Sequence, residues 1–461
     1  MKRRDLMASA ALPLAAAAAP SRPNILILHC HDLGQFLNCY GVKTVQTPNL
    51  DRFAAGGVLF ERSFCTAPQC SPSRASIFTG RYPHSNGVMG LTHAEFAWDL
   101  NPDERHLGQI LAAAGYATAG IGILHETRSG ARRAGLDDYV PASRARQMAD
   151  AAIERLGRFA KSPGRPFYLQ AGCIEPHRLA PRDPRGDVYF TGEEIRPDAS
   201  VGLSIPGYLR DTPGTRAEIA ELQGAVRHMD EQMGRVLAAV DEMGLASNTL
   251  VVFTTDHGIA LPRAKCTVYE PGLQTALILR LPSRPGWRGG LRKRELISNV
   301  DDLPSILEAA GLPVPANVQG RSFAPLLDGR PYQPREAVFG ELTYHGYYDP
   351  CRSVRTGKHK LIVNFSSAPA FQDSSQSWRP RSDTLTPPNP ARAYHPAVEL
   401  YDLEKDPFEQ ENVVAGAAYA AVLEDLRARL RKHMEDTRDP ILDGAVACPL
   451  HRKAAGWLRR P

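Results

Sequence analysis

Apolar residues fall along the chain in short uninterrupted runs, separated by stretches with helical spacing. Ile25-Leu26-Ile27-Leu28, Phe167-Tyr168-Leu169, Leu250-Val251-Val252-Phe253 and Leu277-Ile278-Leu279 read as strands buried on both faces. Between the second and third runs, Ile219, Leu222, Val226, Met229, Met233, Val236, Val240 and Met243 recur at steps of three and four, which predicts a long amphipathic helix. Thr215 with Glu218 spells a capping box at its start, and Gly244 stands where a helix-ending glycine belongs. The methionines of that stripe read as core packing, since they lie on the buried face of the helix. Strands alternating with helices predict an α/β fold, a mainly parallel sheet flanked by helices.

The pattern changes near Glu341. Lys360-Leu361-Ile362-Val363 and Glu399-Leu400-Tyr401-Asp402-Leu403 predict strands, and Leu423, Leu426, Leu430 and Met434 predict a helix after them. We read residues 22–340 as a catalytic domain and 341–461 as a smaller C-terminal α+β subdomain that completes the substrate pocket. Asn364 to Pro396, rich in Ser, Pro, Arg and Gln, is expected to form part of that pocket, because so long a connection is seldom neutral.

Composition narrows the class. With 461 residues, 43% hydrophobic and 23% charged, the chain is globular and not disordered, collagen-like or coiled-coil. A net charge of +5 over this length is too weak to mark a nucleic-acid binder, and is compatible with an anionic substrate. Residues 1–21 read as an export signal: Lys2-Arg3-Arg4, then an Ala/Leu-rich run to Ala19. The paired arginines fit the twin-arginine route, so a periplasmic or secreted destination is expected. No other stretch approaches the roughly 20 apolar residues of a membrane span. None of the eight cysteines forms a C-x-x-C, so no zinc site of that type is expected; the even number permits disulfides without identifying pairs.

One cysteine carries chemistry. Cys70-Ser71-Pro72-Ser73-Arg74 continues into Thr79-Gly80-Arg81, and the segment resembles the signature of the formylglycine-dependent (type I) sulfatases of the alkaline phosphatase superfamily. The resemblance implies an alkaline-phosphatase-like fold and oxidation of Cys70 to formylglycine by a separate maturation enzyme. It also implies a hydrated aldehyde whose one hydroxyl attacks sulfur and whose other expels sulfate, a covalent route that splits one hard displacement into two steps. Such a nucleophile needs a cation beside it. His31-Asp32 follows the first strand and Asp256-His257 follows the Leu250 strand, both at strand ends where open α/β sheets place ligands.

The family pattern then maps a metal set of His31, Asp32, Cys70, Asp256 and His257. His31 departs from it, standing where a carboxylate is usual. The family's calcium is therefore the first expectation, while magnesium, manganese and zinc stay open because imidazole suits the softer ions. By the same resemblance Arg74 is a fixed cation beside the nucleophile, and Lys265 grips a sulfate oxygen. His125 contacts the diol, and His177 in Glu175-Pro176-His177-Arg178 binds sulfate and protonates the leaving group. Ile123 occupies a position where many sulfatases have lysine.

Within the family the likeness is strongest to the sulfamidases, the N-sulfoglucosamine sulfohydrolases. It is carried by Glu175-Pro176-His177-Arg178, Asp211-Thr212-Pro213, Arg352-Ser353-Val354-Arg355 and Glu435-Asp436-Thr437-Arg438-Asp439-Pro440. The implied reaction is hydrolysis of the N-sulfo group of glucosamine in heparan-type glycans. An O-sulfatase on glycosaminoglycan sugars, a formylglycine-dependent phosphodiesterase or phosphonate monoester hydrolase, and a non-catalytic sulfoglycan-binding protein remain as alternatives.

Overall fold

A computed structural model describes residues 22–179, 188–190, 192, 194–367, 381–385 and 394–459. The expected export signal and most of the Asn364–Pro396 segment lie outside the described residues. The strands in chain order are β1 (Asn24–Cys30), β2 (Val58–Phe60), β3 (Ser63–Phe64), β4 (Ala117–Gly122), β5 (Asp138–Val140), β6 (Phe167–Gly172), β7 (Thr249–Thr255), β8 (Leu277–Arg280), β9 (Leu291–Lys293), β10 (Ile297–Ser298), β11 (Val338–Tyr344), β12 (Tyr348–Arg355), β13 (His359–Asn364) and β14 (Val398–Asp402).

The apolar runs become neighbours in an eight-stranded sheet of order β5-β4-β6-β1-β7-β8-β2-β9. All its pairings are parallel except those of β8, which runs antiparallel to both β7 and β2. Alternation along β1 shows why such runs are continuous. Ile25 and Ile27 face one apolar cluster while Leu26, Leu28 and Cys30 face another, so both faces are covered. The predicted long helix spans Pro213–Glu242, and Ile219, Leu222, Val226, Met229, Met233, Val236 and Val240 are fully buried on it.

Its start differs from the expectation. The cap is Thr212, whose hydroxyl accepts the Thr215 amide at 3.2 Å, and Pro213 holds the first helical position, where no amide donor is required. Glu218 is instead buried against Arg178 at 2.7 Å. Gly244, with φ +69°, follows the helix as predicted.

The C-terminal part is an antiparallel sheet of order β11-β12-β13-β14, covered by the helix Ala420–Thr437, which buries Leu426, Leu430 and Met434. This sheet begins at Val338. Buried charge fastens it to the rest of the chain: Glu270 accepts from Lys360 and Arg355, and the His84 Nδ1 meets Glu341 at 2.5 Å. Arg381 and Ser382, among the described residues of the long connection, contact Glu221 and Glu218 of the long helix. All eight cysteines are free thiols. No helix among the described residues is long and apolar enough to cross a membrane.

Two glycines set how closely the central strands end. Gly122, with φ +84°, abuts the Gly172 carbonyl, and a Cβ on Gly172 would overlap the His29 imidazole. Because that ring is buried and cannot retreat, Gly172→Ala should lower the unfolding free energy by about 1–3 kcal/mol. Denaturant unfolding of the two proteins checks this.

Candidate active site

Four adjacent strands, β4, β6, β1 and β7, end level with one another, with Gly122 paired to Gly172, His29 to Gly172, and Cys30 to Thr255. The residues that follow each strand therefore emerge side by side at one carboxyl edge. They include His125 after β4, His177 after β6, His31 and Asp32 after β1, and Asp256 and His257 after β7. This is where a parallel sheet leaves room for a ligand.

Cys70 arrives from elsewhere, as the first residue of the helix Cys70–Thr79, every residue of which is buried. The Ser73 hydroxyl donates to the Asp256 carbonyl, and Asn299 Nδ2 donates to the Ser73 hydroxyl at 2.9 Å, so the helix is pinned beneath the ends of the strands. Burial pushes the Cys70 thiol up to about 12. As a thiol it stays protonated at neutral pH and is a poor nucleophile.

The carboxylates are organised around backbone donors. Asp256 Oδ1 accepts the amides of Asp32 at 3.0 Å and His257 at 2.9 Å, which ties the ends of β1 and β7 together. Asp32 takes a left-handed backbone with φ +52° to enter that arrangement. Lys265 Nζ donates to both Asp32 oxygens at 3.0 and 2.8 Å. Burial pushes the Asp32 carboxyl up, but His177, Lys265 and His257 outweigh it and hold the group well below the usual carboxylate range.

The same cluster fits a divalent cation. His31 Nδ1 and Asp256 Oδ2 are buried, lack hydrogen-bond partners and lie 3.1 Å apart. Ligand atoms of His31, Asp32, Cys70 and Asp256 all fall within 4.8 Å of one another. His257 joins them through its tautomer. Its Nδ1–H donates to the Gly258 carbonyl at 2.9 Å, which leaves the Nε2 lone pair 3.2 Å from Asp32 and 3.4 Å from Cys70 Sγ. Burial, then Arg74, pushes His31 well below its ordinary value, so its imidazole is neutral and able to ligate.

Arg74 is held on the opposite side. Its Nη2 donates to the Ile123 carbonyl at 2.8 Å, its Nη1 lies 3.3 Å from His31 Nε2, and its Nε lies 3.4 Å from Glu126. Glu126 also accepts from Gln170 at 2.8 Å and from the His125 amide at 2.8 Å, and meets His106 at 3.3 Å. His177 donates from Nδ1 to the Arg178 carbonyl at 2.6 Å and turns Nε2 toward Asp32 at 3.6 Å. Cys70, His31, His125, His177 and Lys265 all face one cavity of about 730 Å³, large enough for a small ligand.

A profile described as Sulfatase matches residues 23–312. The chain belongs to the sulfatase family. As a sulfatase it is a hydrolase of sulfuric esters or sulfamates, built on the alkaline-phosphatase-like fold. A second profile, N-sulphoglucosamine sulphohydrolase, C-terminal, matches residues 263–374. Among relatives, the human (Homo sapiens) N-sulphoglucosamine sulphohydrolase is 29% identical, with 94% of each chain covered. An ulvan-active sulfatase of Formosa agariphila is 27% identical, covering 94% of this chain and 84% of its own.

Solved structures share the fold. One, in complex with its substrate D-glucosamine-2-N,6-O-disulfate, has a TM-score of 0.67 at 21% identity and covers 91% of this chain and 99% of that one. A phosphonate monoester hydrolase from Silicibacter pomeroyi has a TM-score of 0.65 at 21% identity, covering 91% and 96%.

Three residues that the sequence did not single out belong to the site of this sulfatase. His345, in the β11–β12 turn, reaches from the C-terminal sheet to the cavity wall; His93 lies on the same wall; Glu126 lies beneath Arg74. Neither His93 nor His345 stands in a motif, and only the fold brings them near Cys70.

Glu126 gives a test of the site's foundation. Burial pushes its carboxyl up, but His106 and Arg74 outweigh that and hold it well below the usual range. With a folded pKa below the unfolded one, its contribution is complete above the unfolded value of about 4.3 and is lost as pH falls. Glu126→Gln leaves Arg74 buried without its carboxylate and should cost this sulfatase about 3 kcal/mol at pH 7. Between roughly pH 5 and 3 the gap between the two proteins should narrow, as chemical denaturation at each pH would show.

Proposed function

We propose that this sulfatase removes sulfate from a sulfated sugar, with the N-sulfo group of glucosamine in heparan-type glycans as its preferred target. The observation that carries the reading is the placement of Cys70: a buried helix N-terminus whose Sγ shares a sphere of 4.8 Å with His31, Asp32 and Asp256. The cavity over it also holds Lys265 and His177. The preference for the N-sulfo group draws on the C-terminal profile and the human relative, not on any single contact.

Converted to formylglycine by a maturation enzyme, Cys70 would supply a geminal diol, one hydroxyl of which attacks sulfur as the S–N or S–O bond to the sugar breaks, while the other expels sulfate as the aldehyde re-forms. His31, Asp32, Asp256 and His257 would hold a divalent cation, which would supply positive charge beside the nucleophile and an anionic substrate. Arg74, fixed by the Ile123 carbonyl and Glu126, needs no rearrangement to present its charge. Lys265 lies on Asp32 and brings a second fixed cation to the cavity. His177 carries its proton on Nδ1 when neutral, so protonating a departing amine or alcohol from Nε2 requires the imidazolium. Burial pushes His177 below its ordinary value, against the pull of Asp32, which places that step on the acid side of neutrality. Since Cys70 is buried, the maturation enzyme must reach it before the chain closes over it. His345 and Gly346 on the cavity wall support a pocket completed by residues 341–461, as read from the sequence.

Mass spectrometry of the Ser63–Arg74 peptide, from cells that carry a formylglycine-generating enzyme, should show the aldehyde at Cys70. Such protein should release sulfate from N-sulfoglucosamine faster than from O-sulfated sugars, and Cys70→Ala should abolish release. An unmodified thiol beside a converted control sulfatase would sink the mechanism. Faster release from O-sulfated sugars would leave the mechanism standing and remove the N-sulfo assignment.

Two imidazoles in the cation set favour a second reading, a phosphodiester or phosphonate monoester hydrolase of the same fold. Aryl phosphonates turned over faster than any sulfated compound would establish it. The same imidazoles set an expectation for the metal: with two nitrogens among its ligands the site should hold manganese or zinc against calcium. Metal analysis of protein purified without chelator, with calcium, magnesium, manganese and zinc supplied in the medium, checks this.

A further inference from the structure

His125 does not stand alone. Its Nε2 lies 2.9 Å from His93 Nδ1, and the two rings meet nearly edge to edge, with centroids 4.9 Å apart and planes inclined by 16°. His125 also has a ring nitrogen in the group that includes Cys70 Sγ and His31, all within 4.8 Å. With Nε2 engaged by His93, the nitrogen left for the residue at position 70 is Nδ1, which is buried and has no hydrogen-bond partner. His93 itself is exposed at the cavity wall.

We propose that His93 is a positioning residue of this sulfatase, which fixes the ring orientation and tautomer of His125 so that Nδ1 serves the nucleophile at position 70. The inference rests on the functional reading above for the identity of that nucleophile.

Both ends of the device are anchored. Thr92, the residue before His93, donates from its hydroxyl to the His125 carbonyl at 3.0 Å, and its amide donates to the Ser71 hydroxyl at 3.2 Å. His93 is thus suspended between the segment that carries His125 and the residue next to Cys70. On the other side of His125, Glu126 accepts the His125 amide. One N–H can be shared between the two facing nitrogens, so when one ring donates the other must accept. Buried acceptors without a partner are tolerated better than buried donors, which favours a bare His125 Nδ1 and an Nε2–H donated to His93. The nitrogen turned to the nucleophile is then the one able to accept a proton. A partner of this kind, acting on a histidine through its second nitrogen, typically matters 10–100-fold when it is removed from a metal-ligating histidine, and we expect a similar size here.

Two variants separate this role from packing. His93→Phe keeps an aromatic ring beside His125 and loses the nitrogen; His93→Asn places an amide near the position of Nδ1 and loses the ring. Steady-state kinetics on N-sulfoglucosamine and on 4-nitrophenyl sulfate should show kcat lowered about 10–100-fold in His93→Phe with KM within about twofold of the parent. His93→Asn should recover most of the kcat. Equal kcat in parent and His93→Phe would overturn the proposal, as would a loss confined to KM, which would make His93 a substrate contact. An equal loss of kcat in both variants would also overturn it.

A second measurement needs no turnover. In protein labelled with 15N-histidine, coupling across the N–H···N bond between His93 and His125 should be present in the parent and absent in His93→Phe. If the coupling is seen but no sulfate is released from any substrate, the functional reading fails. If sulfate is released but the coupling is missing from the parent, the positioning role fails.

Discussion

The site depends on balancing charges that have been taken almost completely out of water. Asp32, Asp256, Glu126, Arg74 and Lys265 are each no more than 2% exposed. Desolvating any of them singly would cost several kcal/mol, so each must find an opposite charge or several hydrogen bonds. Lys265 lies on Asp32, Arg74 on Glu126, and Asp256 accepts two backbone amides. Three carboxylates against two fixed cations leave one negative charge over. A divalent cation beside Asp32 and Asp256 would turn that excess into one positive charge, at the point where an anionic substrate must be received.

That balance explains features that otherwise look unrelated. Asp32 accepts a strained backbone because its amide and carboxylate are both needed. Gly122 and Gly172 let the strands approach until His29 lies against Arg74, giving the guanidinium an acceptor that carries no further charge. The imidazoles around it are neutral for the same reason: burial beside Arg74 and Lys265 disfavours a third cation, and His31 and His125 are pushed below their ordinary range.

Much of this was legible in the residue pattern. Continuous apolar runs identified the central strands because the sheet is covered on both faces, and the acidic and histidine pairs beyond Leu28 and Phe253 stand where they were expected. The cysteine motif marked the helix that lies beneath them. Most of what escaped had no local signal, although Thr212-Pro213 is itself a helix start that the later Thr215–Glu218 pair obscured. The long helix begins one turn before the apparent capping box because Thr212 and Pro213 make the better start, and Glu218 is taken by Arg178 from a distant loop. His93, Glu126 and His345 acquire meaning only through partners that are remote in sequence, and their spacing contains nothing of that geometry.

The division of labour between the two sheets bears on how substrates are chosen. The clustered histidines and aspartates follow β1, β4, β6 and β7 at one carboxyl edge of the sheet, and the Cys70 helix meets them there. One wall of the cavity carries His345 and Gly346 of the β11–β12 turn, whose sheet is fastened to the rest of the chain through Glu270, Lys360, His84 and Glu341. A change in that wall can alter the fit of a sugar without moving any charge in the cluster, whereas a change in the cluster disturbs the balance that keeps the edge folded. Substrate preference can therefore diverge in the wall while the chemistry stays fixed, which is why relatives with such different substrates share this frame.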